Sequence, residues 1–239
     1  MPLPKINTPT YELVIPSNGK KVRYRPFLVR EEKILIMALE SEDMTQITNA
    51  IVEILTACIL TKGVKVMELA TFDIEYIFLN VRAKSVGEVI DVNVTCPDDG
   101  KTQVQMEINI DDIKVQKDKK HTDLVKLDDK LSMKMKYPSI QQFVENNFEV
   151  KDTADVDQSL GMITTCIEQV YSEDESWTAT DFTVDELKEF VEQMNTKQFK
   201  EIEKFFTTMP KLAHTVKVKN PKTKKESDVV LEGLASFFS

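Results

Sequence analysis

Apolar and polar positions along the chain change period several times, and those changes divide it into elements. Residues 10–15 and 21–27 are short β-prone runs separated by Pro16-Ser17-Asn18-Gly19-Lys20, and they predict a hairpin around an Asn-Gly turn. A helix is expected over 30–40. Ile34, Leu35, Ala38 and Leu39 form its inward stripe, and Glu31 and Glu32 lie in a first turn that favours negative charge. Asp43 then caps a second helix, where Ile47, Ala50, Ile51, Ile54, Leu55, Cys58 and Ile59 recur at helical spacing until Gly63. A third helix, from about Phe72 to Lys84, turns Ile74, Ile77, Phe78 and Val81 inward, with Thr71 or Asp73 as its cap.

Beyond Gly87 the period drops from 3.6 to 2. Ile90, Val92, Val94 and Cys96 alternate with polar residues, and after Pro97-Asp98-Asp99-Gly100 so do Val104, Met106 and Ile108, which predicts a half-buried antiparallel hairpin. Two more strands are expected at 122–127 and 131–137 around Asp128-Asp129-Lys130. Helical signals resume at Ser139, spaced with Gln142 as a capping box, with Phe143, Val144 and Phe148 inward. A helix from about Val156 carries Leu160, Ile163, Ile167 and Val170; an acidic loop over 172–181 surrounds Trp177. Thr183 and Glu186 form a second capping box ahead of Leu187, Phe190, Val191 and Met194. Thr196 caps a last helix with Phe199, Ile202, Phe205 and Phe206. Residues 215–219 and 227–231 read as a closing hairpin, followed by a short apolar turn to Phe238. The expected class is α+β: mostly helical, with an N-terminal hairpin, a central antiparallel β module and a C-terminal hairpin. Three regions follow, 1–86, 87–137 and 138–239, the last able to form one body with the first.

Composition narrows the function classes. A net charge of −9 disfavours a generic nucleic-acid or anionic-membrane binder, since phosphate recognition needs a basic surface. Three cysteines, Cys58, Cys96 and Cys166, with no Cys-x-x-Cys pair, predict reduced thiols and no disulfide framework. Met-Pro-Leu-Pro-Lys lacks the apolar run of a signal peptide, and the most apolar stretch, Ile47 to Leu60, is too polar to span a bilayer.

Candidate chemistry is sparse. His121 and His214 stand in separate elements with no acid or cysteine at pairing distance in sequence, and no phosphate-binding glycine loop occurs. Cys96-Pro97-Asp98-Asp99 sits where a zinc knuckle would place two cysteines, but its second position is Asp99 and no further pair follows, so the expectation is a turn with a half-buried cysteine. No catalytic, cofactor or metal residues are assigned. Lys217, Lys219, Lys222, Lys224 and Lys225 cluster on the last hairpin, where they could meet an acidic partner or nucleic acid, although such lysines more often keep an edge strand solvated. Trp177 and the terminal Phe237-Phe238 are the candidate interface residues; each could equally fold into its own domain.

Three stretches carry a resemblance. They are Ile15-Pro16-Ser17 with Arg25-Pro26-Phe27-Leu28-Val29-Arg30-Glu31-Glu32-Lys33; the exit from Val81 to Gly87 into the Cys96-Pro97 hairpin; and Phe205-Phe206-Thr207-Thr208-Met209-Pro210-Lys211-Leu212 with Asn220-Pro221 and Leu231-Glu232-Gly233-Leu234 to Phe237-Phe238. Together they resemble the baseplate hub and hub-assembly proteins of T-even-type contractile-tailed bacteriophages. The resemblance implies a non-enzymatic structural or assembly protein without cofactors. It would be found in the virion tail baseplate or in the host bacterial cytoplasm during assembly, and its partners would be other tail and hub proteins, not nucleic acid or membrane. The competing reading is a ligand- or metal-binding module built on the 87–137 β unit.

Overall fold

The computed structural model describes residues 6–145 and 156–237. It is an α+β protein with hairpins near both ends of the chain. Two compact units divide it: residues 1–116 with 211–239, and residues 117–210.

The first unit begins with β1 (Tyr11–Val14) and β2 (Lys21–Tyr24), paired antiparallel so that Leu13 faces Val22. Gly19, at φ 69°, closes the turn, donating its N–H to the Ile15 carbonyl at 2.9 Å. Glycine occupies this left-handed region without the Cβ clash that other residues meet. Helix α1 (Val29–Glu40), α2 (Met44–Cys58) and α3 (Thr71–Ser85) follow. Asp43 caps α2 by accepting the Thr45 and Gln46 N–H groups, and Ala50, Ile54, Leu55 and Cys58 are buried along the expected stripe. That helix stops at Cys58, short of Gly63, because Ile59 is extended and bridges Tyr24 beside β2. Leu39 departs from its expected inward place: it is 42% exposed, since α1 turns Glu31 and Ala38 inward instead.

Glu31 is 3% exposed, and its burial is the central electrostatic event of this unit. Its carboxylate accepts from the Arg25 guanidinium at 3.0 Å, Arg30 Nε at 2.6 Å and the Leu28 N–H at 2.7 Å. Arg25 also donates to the Pro26 carbonyl, and its own N–H binds the Cys58 carbonyl at the end of α2. Burial works against the charged form of Glu31, but these donors outweigh it and hold its pKa down to about 2. The residue thus links the β2 exit, the start of α1 and the end of α2. Nearby, Phe27 donates its N–H to Ser85 Oγ at 2.9 Å, tying the same turn to the end of α3. Asp73 does not cap α3, whose flanking residue is Ala70. It lies buried in the first turn and accepts the Ser17 N–H at 3.0 Å from the β1–β2 turn.

Strands β3 (Val89–Thr95) and β4 (Gln103–Asn109) form the expected hairpin, with Ile90, Val92, Val94 and Ile108 buried. Strand β5 (Lys114–Gln116) carries too short a pattern to read from sequence; it pairs with the strand that begins at Lys211. In the second unit come β6 (Leu124–Lys126), β7 (Ser132–Met135), α4 (Ile140–Glu145), α5 (Val156–Thr165), β8 (Ile167–Tyr171), β9 (Ser176–Thr178), α6 (Val184–Glu192) and α7 (Thr196–Thr208). The chain then returns to the first unit with β10 (Lys211–Lys219) and β11 (Glu226–Glu232). The stretch 87–137 is therefore shared: β3–β5 belong to the first unit, β6 and β7 to the second.

The helix expected to run through Ile167 and Val170 is broken at Cys166, and those two residues lie in strand β8. Their spacing of three suited a helix, but Ile-Glu-Gln-Val-Tyr is rich in β-branched and aromatic residues, and β7 offers an open edge that β8 fills in a sheet of order β6-β7-β8-β9. Val125, Met133, Met135, Ile167 and Val170 from this sheet bury against Ile163, Leu187, Val191, Ile202 and Phe205. Thr183 and Glu186 form the expected capping box, whereas Asn195, not Thr196, caps α7. Of the inward positions expected in α4, Phe148 lies outside the described residues, as do the side chains of Phe143 and Val144.

In the first unit, the core joins α3, β3, β4, β10 and the C-terminal turn: Leu79, Ala83, Ile90, Val92, Val216, Val218 and Phe237 bury together. Glu75 of α3 accepts the Leu234 N–H at 3.3 Å, and burial raises its pKa to about 7.

Two carboxylates of this unit predict opposite pH effects. Glu31 has a folded pKa of about 2, below the ordinary 4.5, so its stabilising contribution is present above pH 4.5 and is lost as pH falls toward 2. Glu31→Gln, which leaves Arg25 without its counter-charge, is expected to cost about 3 kcal/mol at pH 7. In urea titrations, the gap to wild type closes on acidification. Glu75 has a raised pKa, so the native state loses stability as pH rises from 4.5 through 7. Glu75→Gln keeps an acceptor for Leu234 and is expected to stabilise the protein by about 2 kcal/mol at pH 8, with no gain below pH 4.5. Thermal unfolding at both pH values checks it.

Candidate functional site

His121 and the Asp98-Asp99 turn are bonded within the fold. His121 receives Tyr137 Oη at Nε2 (3.1 Å) and meets Thr208 Oγ1 at Nδ1 (3.0 Å). Because Thr208 donates its own hydroxyl proton to the Lys204 carbonyl at 2.6 Å, Nδ1 is the protonated nitrogen and Tyr137 donates to Nε2. The ring stacks on Tyr137 and lies 5.2 Å from Phe205. Burial and the charge of Lys117 lower its pKa, so it sits neutral between aromatic rings as a brace for the 117–123 segment. His214 lies in the other unit.

All three cysteines are buried and unpaired. Burial pushes Cys58 up to about 11 and Cys166 up to about 12, and it also raises Cys96, so each stays a thiol without nucleophilic character at neutral pH. Among the described residues, no group of three or more His, Cys, Asp or Glu is placed to hold a metal ion, and no helix is long and apolar enough to cross a membrane.

The zinc-knuckle-like turn has a different use. Asp99 accepts the Lys101 and Thr102 N–H groups at 3.0 and 2.9 Å and the Thr102 hydroxyl at 2.5 Å, closing its own turn. Asp98 reaches out of that turn. It accepts Asn220 Nδ2 at 2.9 Å and the Thr223 hydroxyl, both in the β10–β11 turn. Asn220 is 1% exposed; its Oδ1 accepts the Lys222 N–H at 2.8 Å and the Thr223 N–H at 3.3 Å. Two hairpin tips 122 residues apart in sequence are thereby joined by side-chain hydrogen bonds into one platform. These neutral donors hold both aspartates below the usual carboxylate range. Sequence spacing carried no sign of the pairing. The nearest signal was Asn220-Pro221-Lys222-Thr223, a turn sequence with a side chain able to bond two residues on.

The candidate interface residues part company. Phe237 is 1% exposed and belongs to the first unit's core. Phe238 lies outside the described residues. Trp177 is 36% exposed at the outer strand of the four-stranded sheet, directly opposite the buried Val170 and therefore on the same sheet face. It rests partly on its own domain and keeps the rest of the ring open beside exposed Glu173, Asp174 and Glu175. The backbone of Thr178 is already bonded to Asp181, N–H to Oδ2 at 2.7 Å and carbonyl to N–H at 2.8 Å, which blunts this edge against further strand pairing.

Asp98, Asp99 and His121 hold turns and segments together through their side chains. Comparison with known proteins points the same way. No curated protein and no solved structure matches the chain. A family model described as T4 bacteriophage base plate protein matches residues 8–239. That span covers both units and both hairpins, so the chain belongs to the T4 bacteriophage base plate protein family.

Proposed function

We infer that the protein is a non-enzymatic component or assembly factor of the hub at the centre of the phage tail baseplate. It acts through contacts with other tail proteins, in the particle or in the infected cell while hubs are being built. The observation that carries this reading is the family match over residues 8–239. The chemistry of the fold supports it: burial lowers the His121 pKa, the thiols are raised by burial, and Asp98 and Asp99 are engaged in turn bonds. Trp177, half-open on an acidic hairpin, is the surface residue best suited to anchor a partner, because a large rigid ring gives contact area at small entropic cost. The segment before Tyr11 is a second candidate.

The test is quantitative mass spectrometry on purified phage particles and, in parallel, on hub intermediates from infected-cell lysates. A fixed ratio to other baseplate proteins in the particle is expected for a component. Presence only with intermediates is expected for an assembly factor. Absence from both overturns the reading. Trp177→Ala is expected to reduce recovery with hub proteins at least about tenfold, as loss of an interface anchor does.

A further inference from the structure

The chain's charge is sharply divided. Residues 211–225 contain six lysines and no acid, whereas residues 173–192 contain eight acids and a single lysine, Lys188. The second unit as a whole holds 20 acids against 12 lysines and no arginine, a net −8, which leaves −1 for the first.

The basic end of this division is built. Asp98 bonds the β3–β4 turn to the β10–β11 turn through buried Asn220 and exposed Thr223, and the joined tips present Lys101, Lys222, Lys224 and Lys225. All four are exposed, and none has a side-chain hydrogen bond or ion pair among the described residues. By contrast, Lys211 and Lys219, lower on the same hairpin, are paired with Glu232 and Glu226. The acidic end is equally unspent: Glu173, Asp174, Glu175, Asp185, Glu189 and Glu192 are exposed and carry no such bond. A surface whose shape is fixed before binding loses less entropy on association, and complementary fields speed and orient encounter.

We propose that the lysine platform at the joined hairpin tips docks onto the acidic 173–192 segment of a second copy of this chain. The contact is head-to-tail, so it uses two different patches on each copy and leaves one of each free for further copies. Trp177 lies within the acidic segment, where a lysine from the platform can settle over its ring. Duplex DNA is the rival occupant of a lysine platform, but the net charge of −9 on the chain disfavours it. The proposal does not depend on the hub reading, and its experiment uses only the purified protein.

Sedimentation velocity on the full chain tests it. In about 0.05 M salt the weight-average mass is expected to exceed the 27.4 kDa of one chain, and in about 0.5 M salt to return to it, because exposed charges are then screened within a few ångströms. The triple reversal K101E/K222E/K225E leaves Lys224 alone because it sits at φ 64°. It is expected to weaken association at least about tenfold. E173K/D174K/E175K is expected to do the same. An equimolar mixture of the two variants still pairs a wild-type platform with a wild-type acidic segment, and the two reversed patches also complement each other, so the mixture should associate where neither variant does alone. Circular dichroism confirms that both are folded. A wild type that remains at 27.4 kDa at every salt overturns the proposal. So does association that survives either reversal, a mixture that stays dissociated, or a platform reversal that abolishes binding to a duplex DNA probe while the wild type is monomeric.

Discussion

Glu31 is a carboxylate left only 3% exposed, and the donors around it make that burial tolerable. An ionised group taken out of water costs several kcal/mol unless it is met by a counter-charge and by donors for its remaining lone pairs. Arg25, Arg30 and the Leu28 N–H supply them, and the positions from which they do so fix the backbone. Arg25 must stand immediately before Pro26, which keeps it extended; Leu28 must be the last extended residue before α1; and Cys58 must end α2 within reach of the Arg25 N–H. A neutral core could bury as much area, but it would not specify this crossing of strand and helices so narrowly.

Legibility in the sequence followed the kind of interaction involved. Periodic burial was readable: the β3–β4 alternation, the α2 stripe and the Thr183–Glu186 capping box all stand as the pattern implies. Short strands and long-range joints were not. β5 is three residues long and exists because Lys211 to Ala213 offer it a partner, and β8 is a strand because β7 has a free edge. Asp99 stood at the missing second cysteine of a zinc knuckle; the role of Asp98 beside it depends on Asn220, to which no local rule points. For the same reason Phe237 and Trp177, indistinguishable as exposed aromatics in sequence, separate into a core residue and a half-open one.

Three of the polar groups of this fold have structural roles. His121 braces a segment, the aspartates of the 98–99 turn tie hairpins, and Glu75 holds the C-terminal turn.

The pairing of Gln116 with Lys211 has a consequence in time. Those residues are adjacent strand partners in space, yet the whole second unit lies between them in the chain. As the protein is synthesised, β3, β4 and β5 emerge well before β10 and β11 exist to cover them, while residues 117–210 can collapse on their own core as soon as they appear. The nascent first unit therefore waits, apolar faces uncovered, through some 94 residues of translation, which at roughly 5–20 residues per second is several seconds. Slow translation across the second unit would lengthen that exposure and favour aggregation, whereas a fast-folding second unit would shorten only its own.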